Sequence, residues 1–264
     1  MICGLDTIGT GEAAIRMGAA ELAIADTFVD AIIKLELDQS RDIVARHGTT
    51  RYVVYPDGRA DSGFTHEFFP FDVPAADAIR FTQSLAGHSP HLISPMGERI
   101  RAETGIYEAA GYEQVAAWTL MIRPLTQRVS QSGDERVELI EDAATEDRVV
   151  SGILATGESQ HPTRSGHAAD PAIRQRWILD GGEPASFGRI VLLGDHAYLG
   201  DMATLPAYRR RGHAAAIMRS LLDDVLAAGA TACVLAATAM AHSLYLRFGF
   251  REVMPMVGFQ TRNG

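Results

Sequence analysis

Residues 205–214, Leu-Pro-Ala-Tyr-Arg-Arg-Arg-Gly-His-Ala, constrain the possible folds more than any other stretch of the chain. An apolar run ends at Leu205 and meets a proline, three arginines and a glycine follow, and an alanine-rich amphipathic run begins at His213. This order predicts a strand, a tight turn and the start of a helix. The first amides of a helix have no acceptor within it and lie at the positive end of its dipole, so they suit phosphate or pyrophosphate. Taken alone, the stretch is equally compatible with an ordinary basic turn.

The composition is that of a soluble globular protein, with 47% hydrophobic and 22% charged residues among 264. The net charge of −9 argues against nucleic acid as a partner, so the three arginines favour a small anionic ligand. Cys3 and Cys233 lie far apart without metal-ligand spacing, and we expect no metal. The start of the sequence lacks the features of a signal peptide, and no apolar run approaches the roughly 20 residues of a membrane span. We therefore expect a cytoplasmic protein that contacts no membrane.

A polar segment at residues 123–134 is the best linker candidate, because Pro, Thr, Gln, Ser and Gly replace the apolar periodicity around it. It predicts one domain over residues 1–128 and a second over residues 134–264. Hydrophobic spacing and turn residues predict the elements of the first domain. These are helices at 11–47, 75–85 and 98–110, and strands at 51–55, 63–72, 91–94 and 112–122.

The second domain is predicted to run β-α-α-β-β-α-β-α-β. Thr145 is the expected N-cap of its first helix, and Asp170 with Pro171 the start of its second. Gly194 and Asp195 predict a hairpin turn between two strands. The predicted strands are 136–141, 187–193, 196–204, 232–237 and 250–259, and the predicted helices are 145–155, 170–179, 212–228 and 240–248.

Three segments of the second half resemble the GCN5-related N-acetyltransferases (GNAT). Residues 209–214 fit that family's Arg/Gln-x-x-Gly-x-Gly/Ala motif, and residues 244–250 are similar to its Leu-Tyr-x-x-x-Gly-Phe segment. Residues 201–206 resemble its central strand, which ends in a proline before the arginine turn. The resemblance covers about residues 136–260. It implies an α/β (α+β) fold in which a mixed, mostly antiparallel sheet is flanked by helices.

The resemblance also implies acetyl-CoA as co-substrate. The coenzyme pyrophosphate would lie on the turn and its charges, and the pantetheine arm would pair with the central strand like an added strand. Alternatively, that strand merely completes a sheet, and Arg210 or Arg211 is only solvated. At Thr238 the sequence departs from the family, where an asparagine often contacts the coenzyme. The implied coenzyme-binding residues are Met202, Ala203, Thr204, Arg209, Arg210, Arg211, Gly212, His213, Ala214, Thr238 and Tyr245.

The implied reaction is direct attack of an amine on the thioester carbonyl. Tyr245 matches the family's general acid, which protonates the departing thiolate; the alternative is that it only packs in the core. Asp201 or His196 could be the general base, and either is also compatible with an ordinary surface position. We expect the acceptor to be the amine of a small molecule or amino acid. The alternatives are another acyl group, transfer to oxygen, or a non-catalytic acyl-CoA-binding regulatory module.

An internal repeat links the two halves. Residues 106–115 align with residues 244–253, and the tyrosine, glycine, following aromatic and valine all recur in register. The first half therefore resembles a degenerate GNAT unit, in tandem with the GNAT-like unit of the second half. It has no arginine-glycine turn, and Tyr107 is expected to be structural. We expect this half to wall the acceptor pocket or to replace a dimer partner, in a monomer with two pseudo-dimeric halves or in a homodimer.

Overall fold

A computed structural model describes residues 9–36, 42–59, 62–125, 136–154 and 166–261. Six α-helices, two short 3-10 helices and eleven strands lie within those ranges. The helices are α1 Gly9–Glu36, α2 Ala75–Ala86, α3 Ile100–Ala109, α4 Ala143–Leu154, α5 His213–Ala227 and α6 His242–Arg247. The strands are β1 Ile43–His47, β2 Thr50–Val54, β3 His66–Phe69, β4 His91–Ile93, β5 Tyr112–Pro124, β6 Val137–Leu139, β7 Ile173–Asp180, β8 Glu183–Leu193, β9 His196–Thr204, β10 Ala232–Ala237 and β11 Arg251–Thr261.

All eleven strands form one sheet in the order β1-β2-β3-β4-β11-β5-β10-β9-β8-β7-β6. The β3–β4 and β9–β10 pairs are parallel, and the other neighbouring pairs are antiparallel. The mixed, mostly antiparallel sheet predicted from the sequence is therefore confirmed. It extends through both halves of the chain without a break in its hydrogen bonding.

The last strand of each half lies in the other half of the sheet. Strand β5 separates β10 from β11, and β11 separates β4 from β5. In the β5–β11 pairing Trp118 lies opposite Met256, and these two residues are 138 positions apart, the same offset that aligns Ile106 with Leu244. The pairing register shifts twice, and the shifts leave Val253 of β11 and Val115 of β5 without a partner in the pairing. These two valines are again equivalent positions of the repeat. The two copies of the repeat are therefore related by a pseudo-two-fold axis that passes through the Trp118–Met256 pair.

Helices cover both faces of the sheet. Helices α1 and α4 lie on one face, whereas α2, α3, α5 and α6 lie on the other. Helix α1 spans both halves, because the ring of Phe28 packs edge-on against Phe69 of β3 at 6.3 Å and Tyr198 of β9 at 5.6 Å. Its buried side chains recur at helical spacing, as predicted. The core under α1 thereby joins the two halves.

Residues 170–179 were predicted as a helix, and this prediction is wrong. Residues from Ile173 onward form β7, which is bonded to β6 on one side and β8 on the other. Alternate side chains of Ile173, Gln175 and Trp177 are buried against one face, which is the period of a strand. The Asp170 carboxylate accepts the amide of Ala172 at 2.8 Å in a turn, so the apparent helix cap begins a strand.

Two helix ends also differ from the predictions. Helix α1 ends at Glu36, and residues 43–47, predicted as part of it, form β1 in a hairpin with β2. At α4 the cap is Asp142 and not Thr145, because the Asp142 carboxylate accepts both the amide and the hydroxyl of Thr145. Most of the predicted linker at 123–134 and Cys3 lie outside the described residues.

Candidate active site

Strands β9 and β10 separate part-way along their length. They are bonded at three positions, from the His196–Ala232 pair to the Tyr198–Val234 pair. Beyond Tyr198, β9 continues along β8 to Thr204, whereas β10 continues along β5 to Ala237. A cavity of about 780 Å³ occupies the opening between the two strands and extends under α1.

A β-bulge in β9 lies beside this opening. Asp201 and Met202 together oppose Gly188 of β8, and Asp201 has a left-handed backbone with φ of 50°. A Cβ on Gly188 would lie 2.3 Å from the Met202 sulfur and 3.0 Å from an Ile217 methyl group, so a side chain here would push Met202 out of its present position. The bulge bends β9 away from β10 and keeps Met202, Ala203 and Thr204 on the cavity wall.

The Asp201 carboxylate is paired with a buried guanidinium group. The Nε atom of Arg189 lies 2.9 Å from the Asp201 Oδ2 atom, and the Arg189 side chain is 1% exposed. Arg189 Nη1 is 3.1 Å from His167 Nδ1, and the buried carboxylate of Glu146 accepts amides of residues 166–168. Burial and the Arg189 charge lower the pKa of His167, so its ring is neutral at pH 7. The network fixes Asp201 at the bulge.

The arginine turn places a helix N-terminus on the cavity. Gly212 and Arg210 both have left-handed backbones, with φ of 84° and 62°, and α5 begins at the next residue, His213. Gly212, His213 and Ala214 line the cavity, and the first-turn amides of α5 have no acceptor within the helix. The side chains of Arg209 and Arg210 also line it, and Arg209 Nε donates to the Thr204 carbonyl at 3.0 Å.

The side chain of Arg211 braces the turn from outside the cavity. It donates to Asp180 at 2.9 Å and lies over the Tyr208 ring. The buried His213 ring is 3.1 Å from the same Asp180 oxygen. Hydrogen bonds from Arg211 and His213 lower the pKa of Asp180. Of the three consecutive arginines, two therefore line the cavity and the third ties the turn to β7.

Tyr245 lies on α6 at the cavity wall, and its side chain is 5% exposed. Burial raises the pKa of its phenol, with smaller contributions from Cys233 and Asp201, so it is protonated at pH 7. Among the residues that the structure describes, none hydrogen-bonds to its hydroxyl. The phenol is therefore a proton donor without a competing partner in this part of the chain.

The structure separates the two candidate bases. Asp201 lines the cavity, whereas His196 lies at the bonded end of β9, five residues or about 16 Å away at ~3.3 Å per residue. There the His196 Nδ1 atom is 3.3 Å from the Thr27 hydroxyl. Thr238 lines the cavity, and its carbonyl accepts amides of Ala241 and His242 at the start of α6.

Among the described residues of the first half, no equivalent opening separates β3 from β4. Beyond their parallel pairing, β3 and β4 stay together through a bridge between Phe71 and Met96. Tyr107, the repeat equivalent of Tyr245, is buried and stacks on the Phe259 ring at a centroid distance of 4.6 Å. The space that a coenzyme arm would need is closed on this side of the pseudo-two-fold axis.

Side chains of the first half nevertheless line the cavity of the second. They include Phe28, Glu67, Phe69, Ser94 and Trp118. Sequence reasoning did not identify any of these as site residues. The one available signal was the repeat itself, which suggested that the first half walls the acceptor pocket.

No helix within the described ranges is both long and apolar enough to cross a membrane. The same residues contain no cluster of three or more His, Cys, Asp or Glu side chains that could hold a metal ion.

Known proteins share both the motifs and the topology. The model of the acetyltransferase (GNAT) family matches residues 137–250. The uncharacterized N-acetyltransferase YedL of Escherichia coli K12 is 31% identical in an alignment of 131 positions that covers 42% of this chain and 75% of YedL.

Solved structures resemble the whole chain. A GCN5-related N-acetyltransferase from Kribbella flavida superposes with a TM-score of 0.65 at 14% identity, over 92% of this chain and 96% of that one. A tandem GNAT protein from the clavulanic acid biosynthesis pathway superposes with a TM-score of 0.53 at 10% identity, over 93% and 94% of the two chains. These neighbours share the fold of both halves. The family match and the identity to YedL show that the chain belongs to the GNAT family and is an acetyltransferase.

Proposed function

We propose that this enzyme transfers an acetyl group from acetyl-CoA to the amine of a small molecule by direct attack. One observation carries the proposal. The opening between β9 and β10, the N-terminus of α5 and the phenol of Tyr245 all meet on a single cavity. In that cavity the start of α5 would hold the phosphates of the coenzyme, and Tyr245 would supply a proton to its thioester.

The coenzyme would be held by backbone groups more than by side chains. Amides of Gly212, His213 and Ala214 would bind the pyrophosphate, with Arg209 and Arg210 adding positive charge. The cavity side of β9 at residues 202–204 would pair with the pantetheine arm as an added strand. The N-terminus of a helix stabilises an anion because its partial positive charge is not neutralised internally.

In the proposed reaction the amine nitrogen attacks the carbonyl carbon of the thioester. A C–N bond forms, the C–S bond breaks, and the thiolate leaves with the bonding electron pair. Tyr245 donates its proton to the thiolate, and the Asp201 carboxylate, directly or through water, accepts the proton lost by the amine. The phenol suits this role because it is still protonated at neutral pH and so has a proton to give to the thiolate as the C–S bond breaks.

Replacing Tyr245 with phenylalanine tests the proposal. We expect kcat to fall about 100-fold or more, since general acid catalysis contributes that much, while KM for acetyl-CoA changes little. Tyr107→Phe is the matched control, because Tyr107 is the repeat equivalent of Tyr245 and is buried away from the cavity. Thiol release from acetyl-CoA measures both variants.

The pH dependence gives a second readout. Because the pKa of Tyr245 is raised, its proton stays in place at alkaline pH, and kcat should not decline from tyrosine ionisation up to about pH 10.

Undiminished turnover in Tyr245→Phe would contradict the acid role. Coenzyme binding without turnover on any amine would contradict the proposed function.

A further inference from the structure

The cavity continues beyond the strand opening into a chamber on the α1 face of the sheet. We call this the acceptor chamber and define it by Phe28, Glu67, Phe69, Trp118, Tyr198 and Met256. Five of these six side chains are aromatic or a thioether, and they come from both halves of the chain. Surfaces of this kind bind apolar groups, and aromatic faces also attract an ammonium group.

Carboxylates are the charges that face this chamber. Glu67 is 5% exposed, and its Oε2 atom accepts from the Tyr55 hydroxyl at 3.0 Å and from Arg59 at 3.2 Å. Asp201 lines the cavity at the strand opening and is paired with Arg189. Glu67 and Asp201 line the cavity, whereas their partners Arg59 and Arg189 do not. A ligand in the chamber therefore meets the negative member of each ion pair.

The arginines that do line the cavity lie outside the acceptor chamber. Within the described ranges they are Arg209 and Arg210 of the arginine turn and Arg247 of α6. Arg209 and Arg210 are the ones that the proposed function assigns to the coenzyme phosphates. A carboxylate on the acceptor would be buried beside Glu67 or Asp201, and like charges in a dry site repel strongly.

We infer that the acceptor is a primary amine with an aromatic or aliphatic body and no carboxylate group. This inference rests on the proposed function and narrows it, because it excludes free amino acids, which the sequence left open. The apolar body would lie among the rings of Phe28, Phe69 and Trp118. The amine would lie toward the strand opening, where Asp201 can accept its proton.

Matched acceptor pairs test the inference with the full-length enzyme and acetyl-CoA. The first pair is 2-phenylethylamine and L-phenylalanine, which differ by a carboxylate beside the amine. The second is hexylamine and 6-aminohexanoate, which differ by a carboxylate at the far end, toward Glu67. We expect kcat/KM to be about 100-fold higher or more for the amine of each pair, because the added carboxylate would be buried beside Glu67 or Asp201.

Two chamber variants sharpen the test. Glu67→Gln keeps the shape and removes the charge, and it should raise kcat/KM for 6-aminohexanoate relative to hexylamine about tenfold. Phe69→Leu should lower kcat/KM for 2-phenylethylamine about tenfold at unchanged KM for acetyl-CoA. Phe81→Leu is the matched control, because Phe81 packs against Tyr52 and Phe68 outside the cavity. Thermal melting of each variant establishes that it is folded.

The possible outcomes distinguish a failure of the acceptor inference from a failure of the proposed function. Faster acetylation of phenylalanine or 6-aminohexanoate than of its partner would overturn the inference and leave the acetyltransferase proposal standing. An unchanged acceptor ratio in folded Glu67→Gln would also overturn it. Absence of thiol release with every amine, despite acetyl-CoA binding, would instead overturn the proposed function.

Discussion

Asp201 and Arg210 have positive φ, as does Asp72, and among the described non-glycine residues only these three do. Two of the three lie on the candidate site. Such conformations cost roughly 1–3 kcal/mol each and persist where the surroundings enforce them. For Asp201 the enforcing contact is the buried Arg189 guanidinium group, which itself approaches His167. Arg189 is therefore a positioning residue for the bulge.

Replacing Arg189 with methionine should destabilise the protein by about 3 kcal/mol, because it leaves the Asp201 carboxylate without its partner. It should also lower kcat, since the bulge and Asp201 lose their support. Arg176→Met is the matched control. Arg176 forms a similar pair with Asp224 at 2.7–2.8 Å, but neither residue lines the cavity. Urea unfolding and steady-state rates measure both; equal kcat in the two folded variants would contradict the role of Arg189.

At the scale of the element, the turn before α5 works through its backbone. Gly212 has φ of 84°, a conformation that costs roughly 1–2 kcal/mol for a residue with a Cβ. A side chain there would meet no atom within 4 Å, so the strain is conformational and not a clash. This conformation sets the direction in which α5 leaves the turn, and therefore where its first-turn amides lie relative to the cavity.

Gly212→Ala should therefore raise KM for acetyl-CoA about tenfold or more, because the first-turn amides move away from the pyrophosphate. Gly229→Ala provides the control. Gly229 follows the other end of the same helix, has φ of 82° and is equally open. The two variants should lose similar stability in thermal melting. A similar rise of KM in both would show that helix stability, and not amide placement, sets the affinity.

Elements with strong local signals were predictable from the sequence. Helix α5 and the β8–β9 hairpin match their predictions because the apolar stripe of the helix and the Gly194-Asp195 turn act locally. Strand β7 was missed because Asp170-Pro171 imitates a helix start, and two flanking strands decided its conformation. The arginine turn and Tyr245 were likewise predictable as candidates. The acceptor chamber was not, because it depends on α1 bringing β3 close to β9.

The two halves of the molecule are interdependent because β5 lies in the sheet of the second half and β11 lies in that of the first. Strand β5 supplies hydrogen-bond partners to both β10 and β11. Without it, both of those strands would expose unpaired edges, and such edges associate with other chains. The proposed domains at 1–128 and 134–264 are thus units of sequence that share their central strands.

Residues 134–264 produced alone should therefore not yield an active monomer. Because the β5–β11 register is symmetric about the axis, we expect β11 of one copy to take the β5 position in another, giving a dimer or aggregate. Light scattering after size-exclusion chromatography measures the assembly, and thiol release measures activity. Co-expression with residues 1–128 should restore activity. A monomeric fragment with full activity on the same amine would contradict this view.

The Trp118–Met256 pair has a further consequence for how this enzyme can change over time. In a symmetric dimer every substitution near the axis occurs twice, so a change that improves one pocket is imposed on the other as well. In this chain the two equivalent positions are encoded separately, and they already differ, because position 118 is a tryptophan and position 256 is a methionine. Both side chains face the acceptor chamber. Selection can therefore reshape acceptor preference one wall at a time while the coenzyme cleft stays as it is.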